Sequence, residues 1–171
     1  MVNLVLAPRV IRYGSRATAG RFVGRPFSQS FKTSMAHPYS TKSVLTVSAA
    51  LHLSGRSIKD NLKRLWSDDK VPENAASRFD NVGFDVAVTD PNKAVVDLKQ
   101  TLKAREWDGV ILGWCVRGHP EFTELFESLV GVVSEDVVEK TQSSSKPPKI
   151  IFCTGPDDVV NATLRNFPVG P

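Results

Sequence analysis

"WDGVILGWCVRGHPEFTELFESLV" (Trp107–Val130) decides the fold of this 171-residue chain. Its opening, "WDGVILGW" (Trp107–Trp114), is apolar on both faces in the middle, as a strand covered on two sides must be. A glycine-containing turn follows. Then Phe122, Leu125, Phe126, Leu129, Val130 and Val133 fall at i, i+3, i+4, i+7, i+8 and i+11, which lays one apolar stripe along a helix. The stretch is therefore a strand, a turn and a helix, and both flanks repeat the pattern.

Upstream, "VLTVSAALHL" (Val44–Leu53) is almost continuously apolar and predicts the first buried strand. "SGRS" separates it from a helix marked by Ile58, Leu62 and Leu65, which Pro72 ends. A second short helical piece carries Ala75, Ala76 and Phe79, and Asn81-Val82-Gly83 reads as its stop. "FDVAVTD" (Phe84–Asp90) alternates, as a strand near a sheet edge does. Asp90-Pro91 reads as a cap with proline in the first helical position, and Val95, Leu98 and Leu102 mark that helix. Downstream, "KTQSSSKPP" is a solvated loop and "KIIFCTG" (Lys149–Gly155) a fourth strand. Pro156-Asp157-Asp158 opens a last helix bearing Val159, Val160, Leu164 and Phe167.

Such alternation calls for a three-layer α/β/α domain over residues 41–171, a four-stranded parallel sheet with right-handed crossovers. Strands 1, 3 and 4 read as central or doubly covered, and strand 2 as an edge. That favours the order 2-1-3-4, a short flavodoxin-like or Rossmann-like arrangement; the order 3-2-1-4 would bury the alternating strand.

Charge is split along the chain. Nine Lys/Arg and no acid precede Asp60; thirteen Lys/Arg and eighteen acids make up the rest, so +9 and −5 give the net +4. The basic excess belongs to the leader, and the body lacks the basic stripe with interleaved aromatics that nucleic-acid binding needs. No apolar run is long enough to insert in a membrane. Residues 1–40 read as a disordered transit peptide for the mitochondrial matrix: Arg9, Arg12 and Arg16 share one helical face, and serines abound. Its partner is the import machinery. Arg25-Pro26-Phe27-Ser28 resembles a matrix processing site cut after Pro26, with trimming to about Ser34. Translation from Met35 would give an untargeted, cytosolic copy.

Ligands of such sheets gather at the carboxyl ends of the strands, where the strand order reverses. Here that point lies between strands 1 and 3, under "HLSGRS" and "GWCVRGHPE", beside "TGPDD". The candidate ligand-binding residues are Ser54, Gly55, Ser57, Gly113, Arg117, Gly118, His119, Thr154 and Gly155. Arg117 suits a phosphate or carboxylate at the start of the helix, whose amides carry partial positive charge. The competing reading is structural: Gly118 turns the chain, Arg117 is solvated, and Glu121 complements the helix dipole. Cys115 with His119 is the candidate catalytic pair of a hydrolase or transferase, but Arg117 stands where a nucleophile elbow has glycine. Glu121 stands where a Cys-x5-Arg phosphatase loop has arginine. Asp90, Asp157 and Asp158 read as helix caps, and His52 as placed inward or at the crest. Cys115 and Cys153 lack CxxC or Cys/His spacing, so neither a disulfide framework nor a metal site is expected. A nucleotide or flavin is compatible with the crest, but no dinucleotide fingerprint or P-loop is present.

"WDGVILGWCVRGHPEFTELFESLV" with "IIFCTGPDD" resembles small Rossmann-like proteins of fungi and bacteria that lack an assigned activity. The likeness runs from Val44 to Phe167 and implies the fold and a ligand-facing crest. A fainter likeness is to NADPH-dependent FMN reductases, which pair a serine-rich loop after strand 1 with a glycine turn after strand 3; their full loop and flavin-stacking aromatics have no counterpart here. A non-catalytic interaction or structural protein is the alternative to a small-anion binder. For the leader, residues 1–34 fused to a fluorescent reporter are expected to send it to mitochondria; diffuse cytosolic fluorescence would refute the targeting reading.

Overall fold

Hydrogen bonding along the sheet runs in one direction throughout. In the computed structural model, which describes residues 41–72, 74–143 and 145–168, the chain forms β1 (Lys42–Ser48), β2 (Phe79–Asp85), β3 (Gly109–Leu112) and β4 (Lys149–Phe152). All pairings are parallel and the order is β2-β1-β3-β4, as the sequence predicts. Residues 1–40, where a transit peptide and an alternative start at Met35 are expected, lie outside the described residues.

Helices complete three layers. Between the strands run α1 (Ala50–Ser54), α2 (Ile58–Trp66), α3 (Pro91–Lys103), α4 (Trp114–Arg117), α5 (Thr123–Gln142) and, last, α6 (Val159–Asn166). Leu45 and Val47 of β1 pack with Leu98 of α3 and Leu129 of α5 on one face. Val44 packs with Leu62 of α2 and Val160 of α6 on the other. The two-residue alternation of a strand sends these neighbours to opposite sides.

Several elements differ from expectation in their bounds or position. β1 ends at Ser48, and "ALHLS" forms α1 instead of extending the strand. The Ser48 hydroxyl accepts the Ala50 amide at 3.1 Å, which turns the chain into a helix that alanine and leucine favour. β2 covers Phe79–Asp85 rather than Phe84–Asp90, preceded by a 3₁₀ turn over Ala76–Arg78. Asn81-Val82-Gly83 is thus inside the strand. Gly83 is there for space: a Cβ would lie 2.7 Å from Ile58 Cγ2 and 2.8 Å from the Lys59 amide, where α2 crosses β2. The strong helix begins at Thr123 after a 3₁₀ turn (Pro120–Phe122) and runs on to Gln142. β4, read as doubly covered, is the second edge; its Lys149 and Phe152 are exposed.

The amino ends of the strands are tied by one carboxylate. Asp108 accepts from the Ser43 amide and from the Lys42 and Lys146 ammonium groups at 3.1, 3.1 and 2.7 Å. Burial pushes its pKa up, but the bonds from Lys146, Ser43 and Lys42 outweigh that and leave it lowered.

Two glycines are expected to respond with opposite sign. Gly83→Ala overpacks the α2–β2 crossing and loses about 1–3 kcal/mol. Gly131→Ala, in α5 with nothing within 4 Å of the new methyl, gains about 0.5–1 kcal/mol. Urea denaturation of both variants is the check; equal midpoints would contradict the close approach at Gly83.

Candidate functional site

β1 is followed by a helix on one face and β3 by a helix on the other, so the chain parts above these neighbouring strands. Doubly wound sheets open a crevice at such a point. A cleft of about 360 Å³ lies there, within the usual range for small-molecule sites. Thr46 and Ser48 of β1 and Gly113 after β3 border it below. Ile58, Asn61, Arg64 and Leu65 form the α2 wall; Gly155, Pro156, Asp157 and Val159 form the opposite one. Leu53, Ser54, Trp114, Cys115 and His119 complete the rim.

Local sequence explains each position. Thr46 and Ser48 follow Val44 at two-residue spacing and so share its face of the sheet. Ile58, Asn61 and Arg64–Leu65 follow at three to four residues along α2. Gly113 allows β3 to close on β1: its amide donates to Val47 O at 2.9 Å, and a Cβ would sit 2.7 Å from that same oxygen.

Among the described residues that border the cleft, one buried side-chain polar atom has no partner. Thr46 is fully buried, and its hydroxyl makes no hydrogen bond. Ser48, nearly as buried, uses its oxygen to accept the Ala50 amide, which leaves its hydroxyl proton for another acceptor. Trp66 Nε1 and Asn81 Oδ1 also lack partners, but neither residue borders this cleft.

The charges divide into fixed and loose. Asp158 is fixed: it accepts the Thr154 amide at 2.8 Å and holds the Arg165 guanidinium through both oxygens at 3.0 and 2.9 Å. Arg165 also donates to Phe152 O at 3.1 Å, so β4, its loop and α6 form one unit. The Arg165 hydrogen bonds, with help from Thr154, bring the Asp158 pKa down from 3.8 to about 2. The Arg64–Asp157 pair is loose, at 3.4 Å with side chains 60% and 79% exposed, a contact worth about 0–1 kcal/mol.

The expected site residues separate into two groups. Ser54, Gly113, Cys115, His119 and Gly155 come together around the cleft; Gly55, Ser57, Arg117, Gly118 and Thr154 do not border it. Gly55 closes α1 with φ +69°, and Ser57 caps α2 by accepting the Asp60 amide. Arg117 Nη2 donates to Cys153 O at 2.6 Å, with the guanidinium 5.0 Å from the Trp114 ring. Gly118 packs under that same ring. Ser54 Oγ donates to Ala50 O. His119 Nδ1 meets Glu121 at 3.2 Å and its ring faces Phe122; no hydrogen bond joins it to Cys115 among the described residues. Burial pushes the Cys153 thiol up to about 12, as suits a core cysteine. Asp90 caps α3, accepting the Lys93 amide at 2.9 Å. His52 is exposed, edge-on to Phe122.

Thr46, Ser48, Asn61 and Arg64 are cleft residues that motif reading passes over, and Asp157, read as a helix cap, pairs with Arg64 instead. The signal was there for two of them: a pair of hydroxyls spaced by two inside an apolar strand marks one face. Among the described residues no group of three His, Cys, Asp or Glu could hold a metal ion, and no helix is long and apolar enough to cross a membrane. No protein-family model, curated protein or solved structure matches the chain. The fold itself is an α/β arrangement consistent with the flavodoxin-like or Rossmann-like class.

The Asp158 clamp makes a pH-dependent prediction. Its folded pKa is lowered, so its contribution is present above pH 4 and is lost as pH falls toward 2. Asp158→Asn is expected to cost about 1–2 kcal/mol at pH 7 and almost nothing near pH 2. Urea titrations at the two pH values measure this; an equal deficit at both would show that the carboxylate charge is not what holds the loop.

Proposed function

We propose that this domain binds a small anionic metabolite or nucleotide in the cleft at the carboxyl edge of its sheet, and that it works in the mitochondrial matrix. The buried, unpartnered Thr46 hydroxyl carries the binding reading. Leaving such a group unpaired costs about 1–3 kcal/mol, and a ligand that accepts from or donates to it removes the penalty. Cleft size, the position above β1 and β3, and an arginine held only by an exposed partner support the same reading. The acid-free, arginine-rich leader supports the location.

A thermal-shift screen of nucleotides, flavins and organic acids tests binding. At least one compound is expected to raise the melting temperature of the wild type. Thr46→Val, close to isosteric, is expected to raise the ligand-free melting temperature by about 2–6 °C because it removes the unpaired hydroxyl. The same change should reduce the ligand-induced shift. If no compound shifts the wild type, the binding reading falls, and the exposed Leu51 and Leu53 of α1 favour an interaction protein instead.

A further inference from the structure

We infer, resting on the reading above, that the ligand is an organic monocarboxylate with an apolar body, and that Asp157 occupies Arg64 in place of its acid group. The first ground is charge. Among the residues bordering the cleft the charged side chains are Arg64 and Asp157, with His119 facing Glu121 outside it. The single guanidinium can pair with one carboxylate at a time, in exchange for Asp157. It does not balance the two or more negative charges carried by a phosphate ester.

The second ground is the helix starts. Phosphates are commonly held by free amides at a helix N-terminus. At α2 the Ile58 amide already donates to Asp85 at 2.8 Å, and the Asp60 amide to Ser57. At α6 the capping residue is itself an acid, Asp158, locked to Arg165. The start of α2 therefore has no free amide at Ile58 or Asp60 to offer a phosphate.

The third ground is the lining. Leu53, Ile58, Leu65 and Trp114 offer apolar surface, while the Thr46 hydroxyl and Asn61 give places for one neutral polar group. An apolar acid bearing a hydroxyl or carbonyl matches that surface.

Arg64, Leu65 and Asp157 also border a second groove of about 390 Å³. Exposed pairs such as Arg64–Asp157 contribute little, so a ligand carboxylate can exchange with Asp157 at small cost. Asp157 then acts as a competitor in the chain itself, and its removal strengthens binding where removal of Arg64 abolishes it.

Titrations followed by amide NMR would use hexanoate and its hydroxy and oxo derivatives. Hexanamide serves as neutral control, and adenosine monophosphate and FMN as phosphate-bearing comparators. Carboxylates are expected to perturb the cleft residues, and hexanamide is not. Arg64→Gln should remove the preference for carboxylate over amide, and Asp157→Asn should tighten carboxylate binding roughly two- to fivefold. Equal binding of acid and amide, or no tightening in Asp157→Asn, overturns the inference. Preferential binding of adenosine monophosphate or FMN overturns it too, while leaving a cleft ligand in place. Absence of binding by any of these compounds and by the wider screen overturns both readings together.

Discussion

β1 is hydrogen-bonded on both sides by parallel partners, and Val44 to Ala50 are all buried. Parallel pairing forbids hairpins, so each return of the chain must cross a face of the sheet. With β2 on one side of β1 and β3 on the other, right-handed crossovers put α2 on one face and α3 with α5 on the other. Strand order alone thus separates the chain above β1 and β3. The cleft is a consequence of that separation and needs no special loop to create it.

The two ends of the sheet use carboxylates differently. At the amino end, Asp108 draws Ser43, Lys42 and Lys146 to one point and has nothing left to offer a ligand. At the carboxyl end, carboxylates fix the surroundings: Asp85 the start of α2, Asp158 the loop into α6. Arg117 adds a bond to Cys153 O, which joins α4 to the end of β4. The frame is held by bonds of good geometry, while Thr46 and the Arg64–Asp157 pair inside it are left under-committed.

Much of this architecture is legible in the sequence. The order 2-1-3-4 matches the expected one, although the alternating segment Phe84–Asp90 shares only Phe84 and Asp85 with β2, and β4 is an edge. Boundaries were less legible, for local reasons. Ser48 turns the chain into a helix through its own hydroxyl, which an apolar count over "AALHL" does not register. Gly83 reads as a stop, yet it serves close packing against Ile58 and Lys59, a long-range contact. The place of the cleft came from topology, its side chains mostly from tertiary structure. Arg117 stands beside conspicuous glycines but is spent on a carbonyl. Arg64 sits in an ordinary amphipathic helix, and only the fold sets it opposite Asp157.

The choice between Cys115 and Thr46 as the informative residue turns on cost. Cys115 borders the cleft half-buried and imposes no penalty there, because a thiol is a weak donor that packs as a small hydrophobe. Thr46 is different. Between Val44 and Ser48, on a strand sealed on both faces, valine would fill the same volume without an unpaired hydroxyl. Domains are stable by only about 5–15 kcal/mol, so an orphaned buried group consumes a substantial fraction of that margin. A residue that weakens the ligand-free fold at the exact point where the topology opens a cleft is best explained by what enters it. The loose Arg64–Asp157 pair, which adds little stability, borders the same cleft and fits the same proposal.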